Sequence, residues 1–214
     1  MDNSTQGETM KFYDVPIKVN TDPSLNASDL LLERVAINPS HPLFSRQNPD
    51  GTWRDVTSQE FLDEVKSLAK GLIAQGIKPG DAVAIMSRTR YEWTMIDFAI
   101  WFAGAIGVPI YESSSASQIE WILTDSDAIA LFIEDDEHLE RFNQVKSGTQ
   151  KVKHVWRIDS KDFSGLHQDG EKIGDDQLEK ARSHANLSDL ATIVYTSGTT
   201  GNPKGCELTH KSFV

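Results

Sequence analysis

Ala82-Val83-Ala84-Ile85-Met86 is an unbroken apolar run between Lys78-Pro79-Gly80-Asp81 and the polar Ser87-Arg88. A run that short suits a strand buried on both faces, and such a strand requires covering helices on each side. The flanking sequence supplies them. Upstream, Thr57-Ser58-Gln59-Glu60 has capping-box spacing, and Phe61, Leu62, Val65, Leu68, Ala69, Leu72 and Ile73 keep one helical face apolar. Gly76 stands where a helix end favours left-handed backbone. Downstream, the pattern predicts a helix over 91–105, a strand over 107–110, a helix over 117–123, a strand over 128–133, a helix over 136–145 and a strand over 152–158. Alternation of this kind predicts an α/β fold: a largely parallel sheet with flanking helices.

The rest of the chain is organised around that unit. Residues 1–27 are polar and aperiodic and read as a loosely docked arm, and 28–36 reads as a helix ending before Pro39. Two extended segments flank Asn48-Pro49-Asp50-Gly51, which is hairpin turn chemistry. The stretch 93–110 is nearly all apolar, but Asp97 lies inside it and Gly104, Gly107 and Pro109 interrupt it. It therefore reads as a buried helix followed by a strand, with no transmembrane segment. The polar stretch 161–180, with Gly165, Gly170 and Gly174, reads as a surface excursion.

Composition narrows the partners. Thirty-two Asp and Glu against 21 Lys and Arg give a net charge of −11, opposite in sign to what phosphate-backbone binding needs, which argues against nucleic acid. A single cysteine makes no internal disulfide, and no basic n-region leads into an apolar stretch at the start, so a cytoplasmic location is expected.

The chemistry concentrates at one place. Leu190 to Tyr195 reads as a strand running into Thr196-Ser197-Gly198-Thr199-Thr200-Gly201-Asn202-Pro203-Lys204-Gly205. Glycines let backbone N–H groups approach an anion, hydroxyls add donors, and Lys204 adds a point charge, so the segment has the parts of a polyphosphate cradle. A Walker loop needs Gly-x4-Gly-Lys-Ser/Thr; here Pro203 precedes Lys204 and Gly205 follows it.

The order Tyr-Thr-Ser-Gly-Thr-Thr-Gly-x-Pro-Lys-Gly over 195–205 resembles the phosphate loop of the AMP-forming acyl-adenylate superfamily. Arg88-Thr89-Arg90-Tyr91-Glu92-Trp93, Asp97-Phe98-Ala99-Ile100-Trp101, Val108-Pro109-Ile110-Tyr111-Glu112 and Trp121-Ile122-Leu123 are similar to the matching stretch of bacterial long-chain fatty acid–CoA ligases. The resemblance implies that the chain is part of the large N-terminal domain of an acyl-CoA synthetase, with residues 28–214 forming the start of the AMP-binding domain. It also implies ATP, Mg2+ and coenzyme A as cofactors and a fatty acid as substrate. Thr196, Ser197, Thr199 and Thr200 would contact β- and γ-phosphates, Gly198 and Gly201 would make the turn, and Lys204 would offset charge.

In that family the adenine contacts, the acyl pocket, the glutamate associated with Mg2+, the hinge and the catalytic lysine of a C-terminal domain all follow the loop. The expectation is therefore a fragment without catalytic residues of its own and without turnover, which self-associates through apolar surface left uncovered. Peripheral membrane contact is left open. Two alternatives remain: another adenylate-forming ligase, for medium-chain or aryl acids, and a non-catalytic binding module on the same fold.

Other clusters carry less. Cys206 and His210 are four apart but follow Pro203 and Gly205, which disfavour the helix that would pair them. The histidines at 41, 138, 154, 167, 184 and 210 lack metal-ligand spacing, so no metal site is expected. Glu134-Asp135-Asp136-Glu137 reads as a solvated helix start, and the five tryptophans read as core or interface anchors.

Overall fold

The computed structural model describes residues 19–20, 22–48, 50–196 and 201–214. Helix α1 (Asp29–Ile37) leads into an antiparallel hairpin, β1 (Pro42–Gln47) and β2 (Trp53–Thr57). Helix α2 (Ser58–Ala74) follows without a loop, and its capping box is formed. The Glu60 N–H donates to Thr57 Oγ1 at 3.2 Å, and the Thr57 N–H donates to Glu60 Oε2 at 2.7 Å. Then come β3 (Ala82–Met86), α3 (Tyr91–Phe102), β4 (Ile106–Ile110), α4 (Ala116–Asp125), β5 (Ala130–Ile133), α5 (Asp136–Asn143) and β6 (His154–Arg157). Helices α6 (Lys161–Gly170) and α7 (Asp175–Arg182) precede β7 (Leu190–Thr196), β8 (Lys204–Thr209) and a 3-10 turn, His210–Ser212.

The sheet runs β6-β5-β3-β4-β7-β8, parallel except for β8, which returns antiparallel to β7. This is the largely parallel α/β sheet that the alternation predicts. Strand β3 is central, and Val83 to Met86 are fully buried. The pleat divides them: Val83 and Ile85, with Phe132 and Trp156, face α2, α3, α6 and α7. Ala84 and Met86, with Leu131, Ile133 and Tyr195, face α4 and α5. Among the described residues no helix is long and apolar enough to cross a membrane; the stretch 93–110 is α3 followed by β4.

Three local expectations change. Residues 161–180 are not an excursion. They form α6 and part of α7, whose Leu166 and Leu178 enter the main core while charged residues cover the outside. Gly170, read from sequence as a loop residue, ends α6 where it crosses α2. A Cβ on Gly170 would stand 2.7 Å from Gly71 N, and one on Gly71 would stand 2.2 Å from Leu166 O. The arm is the second change. Residues 1–18 lie outside the described residues, but Asn26, Ala27 and Ser28 are buried, and Asn26 Nδ2 donates to the Arg182 and Ala185 carbonyls at 3.1 Å each. Third, β8 is an additional strand, so the last residues of the 195–205 motif and the segment after it extend the sheet.

The crossing reverses an ordinary rule. Alanine at a helix interior usually gains about 1 kcal/mol over glycine. At position 71 the added methyl meets backbone of α6, and separating the helices costs about 1–3 kcal/mol. Gly71→Ala is therefore expected to lower the urea midpoint of unfolding, and an unchanged or raised midpoint would refute the close crossing.

Candidate functional site

After β4 the chain crosses to β5 on the far side of β3, and α3 and α4 cover opposite faces of the sheet. Such a reversal leaves a crevice outside the carboxyl ends of the strands, where ligands of open α/β sheets bind. The opening is widened locally. Strands β4 and β7 pair at one position, Gly107 with Thr192, where Thr192 Oγ1 donates to the Gly107 carbonyl at 2.8 Å. Pro109, two residues on and so facing the same neighbour, has no N–H to give β7. The strands part there, and Ser87, Thr89, Trp93, Tyr111, Val194 and Tyr195 line the cleft between them.

The predicted phosphate segment sits at this edge. Thr196 is the exposed last residue of β7, and Lys204 is the exposed first residue of β8, directly opposite it in the ladder. Gly201 is exposed with φ +94°, backbone that a side chain would strain. Ser197, Gly198, Thr199 and Thr200 lie outside the described residues. The structure thus brings Thr196 and Lys204 side by side, with Lys204 based on a strand rather than on the loop its sequence context suggests. Gly205 serves packing: a Cβ there would stand 2.9 Å from Ile193 Cγ2 and 3.2 Å from Tyr195 Cζ. The buried Tyr195 ring lies against β8, and its hydroxyl donates to Asp125 Oδ2 at 2.7 Å. Burial, and then Asp125, hold that phenol well above its ordinary range. On the other stem, the Trp121 indole N–H donates to the Pro203 carbonyl at 2.8 Å.

Beside the cleft stands a cluster that sequence reasoning missed. Glu134, expected to be solvated, is 1% exposed. It accepts from Arg88 Nε at 3.0 Å and from the Arg88 backbone N–H at 2.9 Å, with Arg90 Nη1 at 3.6 Å. The Arg88 hydrogen bonds hold its carboxyl below the usual range. Arg90 continues to Asp159 at 2.9 Å and Glu92 at 2.7 Å, and Arg46 from the hairpin reaches Glu92 at 2.8 Å. These pairs tie the ends of β3, β5 and β6 to β1. The signal lay in charged residues just after apolar strands, but the partners Arg88 and Glu134 are 46 apart in sequence, and only the sheet order makes them neighbours.

The remaining candidates separate. Cys206 is exposed on β8, whereas His210 is buried and its Nδ1 accepts the Ala27 N–H at 3.1 Å, so the two form no nucleophile–base pair. Trp101 and Trp156 are buried anchors, but Trp53 is 68% exposed on the hairpin. Among the described residues no three His, Cys, Asp or Glu side chains group as a metal site.

The family model for AMP-binding enzymes matches residues 31–214. The chain belongs to the AMP-binding enzyme family. It is 36% identical to the long-chain-fatty-acid–CoA ligase FadD15 of Mycobacterium tuberculosis, over 96% of this chain and 34% of that protein. It is 28% identical to the long-chain-fatty-acid–CoA ligase ACSBG2 of Xenopus laevis, over 74% of this chain and 23% of that one. It therefore spans about a third or less of the curated relatives it matches. Among solved structures, a long-chain-fatty-acid-CoA ligase (FadD1) from Archaeoglobus fulgidus superposes with a TM-score of 0.73 at 24% identity, covering 92% of this chain and 39% of that one. The inhibitor-bound N-terminal domain of FACL13 from Mycobacterium tuberculosis gives 0.70 at 24%, covering 87% of this chain and 45% of that one. At these identities the likeness is one of fold.

One further group stands against β4. Asp97 projects from α3 toward Gly107, with Oδ1 3.0 Å from where a Cβ on that glycine would stand. Burial pushes its carboxyl from 3.8 up to about 7. A carboxyl that holds its proton more tightly folded than unfolded loses stability as pH rises between those values, and the loss is complete above the higher one. Asp97→Asn removes this dependence. Its stability advantage over the parent is expected to widen from pH 5 to pH 7 and then level off, as urea unfolding at each pH would measure; parallel curves would show that the carboxyl is not perturbed.

Proposed function

We propose that the chain is the N-terminal part of an ATP-dependent long-chain fatty acid–CoA ligase and supplies its polyphosphate cradle. In this reaction a carboxylate oxygen attacks the α-phosphorus of ATP, pyrophosphate leaves, and the coenzyme A thiol then displaces AMP from the acyl carbon. The observation that carries the reading is the meeting of Thr196 and Lys204 across the β7–β8 ladder, at the carboxyl edge of the sheet. The 36% identity to FadD15 over 96% of the chain supports the acyl class.

Thr196, Ser197, Thr199 and Thr200 are assigned to the β- and γ-phosphates, Gly198 and Gly201 to the turn, and Lys204 to charge neutralisation. Their work is positioning and electrostatics, which dominate phosphoryl chemistry. The hydroxyls and the lysine suit a phosphate chain; among the described residues no three His, Cys, Asp or Glu side chains gather to hold Mg2+ without it, and no step is assigned to the ion. Catalysis requires contacts made in the transition state, and a cradle alone does not provide them. Residues 1–214 alone should bind pyrophosphate without turnover.

In the full-length protein, ATP–pyrophosphate exchange is expected to be fastest with long-chain acids in a panel of long-chain, medium-chain and aryl acids. Lys204→Ala should lower exchange by roughly 10- to 100-fold, while the melting temperature stays unchanged because Lys204 is exposed. Unaltered exchange in that variant would remove the lysine from the mechanism, and fastest exchange with an aryl acid would reassign the substrate class.

A further inference from the structure

Helix α4 grips both stems of the phosphate loop. Trp121 and Asp125 are one turn apart on the same face. Asp125 accepts from the Tyr195 hydroxyl on the β7 stem at 2.7 Å, and Trp121 Nε1 donates to the Pro203 carbonyl, one residue before Lys204, at 2.8 Å. The contact joins residues 82 apart in sequence. The helix itself is held firmly. Its start is fixed by the Ser115–Gln118 capping box. Arg141 of α5 donates to the Glu112 and Ser114 carbonyls, securing the segment that leads into it. The Trp121 ring is 37% exposed, so burial alone does not account for its placement; its polar contact is with the backbone that carries the lysine.

We propose that Trp121 is a positioning residue for polyphosphate binding: its indole N–H pins Pro203 and thereby sets where the Lys204 ammonium stands relative to Thr196. The proposal rests on the loop's being the phosphate site. A pre-set loop binds more tightly because less ordering remains to be done on binding. Phenylalanine at 121 keeps a ring on α4 but cannot donate to Pro203.

In the full-length protein, Trp121→Phe is expected to weaken pyrophosphate binding, measured by titration calorimetry, and to raise the KM for ATP, each about fivefold, the worth of one ordinary hydrogen bond. kcat and the melting temperature should change little, a split that a purely structural role would not produce. Pyrophosphate should also alter indole emission in the parent and, equally, in Trp53→Phe, which lacks the exposed hairpin indole, but by less in Trp121→Phe, where Trp93 of the cleft still reports. If Lys204→Ala loses affinity while Trp121→Phe keeps the parent's, the positioning role is overturned and the phosphate site stands. If both variants bind pyrophosphate as the parent does, both readings fall.

Discussion

The burial of β3 on both faces is the constraint from which the rest of the structure follows. A strand with solvent on neither side has to be sandwiched, and the chain meets that need with α2, α3, α6 and α7 on one face and α4 and α5 on the other. Removing apolar side chains from water is worth about 1.5–3 kcal/mol for each large residue. The pleat shares that gain between two cores, through Val83 and Ile85 on one side and Ala84 and Met86 on the other. Since consecutive parallel strands have to be joined by crossovers, covering both faces also forces the chain to reverse direction across the sheet. That reversal, at β3 and β4, produces the crevice.

The site is therefore a consequence of how the sheet is covered, refined by a few residues that weaken it locally. Pro109 withholds a hydrogen bond between β4 and β7, and Gly205 lets the Tyr195 ring lie against β8. The carboxyl edge is then firm at the β7–β8 ladder and open at the cleft beside β4. Firmness comes from α4 beneath the loop and from the Arg88–Glu134–Arg90 cluster that joins the ends of β3, β5 and β6 to the hairpin. A buried carboxylate with two arginines costs desolvation, and the fully made hydrogen bonds around Glu134 offset it.

What could be read from sequence was local or ordered along the chain. The capping box at Thr57–Glu60, the unbroken run 82–86 and the pairing of the two segments around 48–51 each depend on residues close together in the chain, and the box, the strand and the β1–β2 pairing are formed. The motif over 195–205 stands out in the sequence for the same reason, because a loop of the kind it resembles is built from consecutive backbone groups. The family followed from eleven ordered positions together with the Arg88–Trp93 and Val108–Glu112 stretches. The helices over 161–182 were obscured by their charge and by Gly165 and Gly170, whose meaning depends on a neighbour: Gly170 is small because α2 crosses there.

By itself, then, the sequence determined the α/β class and the alternation of elements from α1 to β6 and again at β7, since periodicity and turn chemistry act over a few residues. Tertiary structure alone decided that Glu134 is buried against Arg88, that His210 receives the Ala27 N–H away from Cys206, and that Trp121 reaches Pro203. Those partners lie 46, 183 and 82 residues apart. No periodicity along the chain encodes such pairs; they become neighbours only once the strand order and the faces of the sheet have been set.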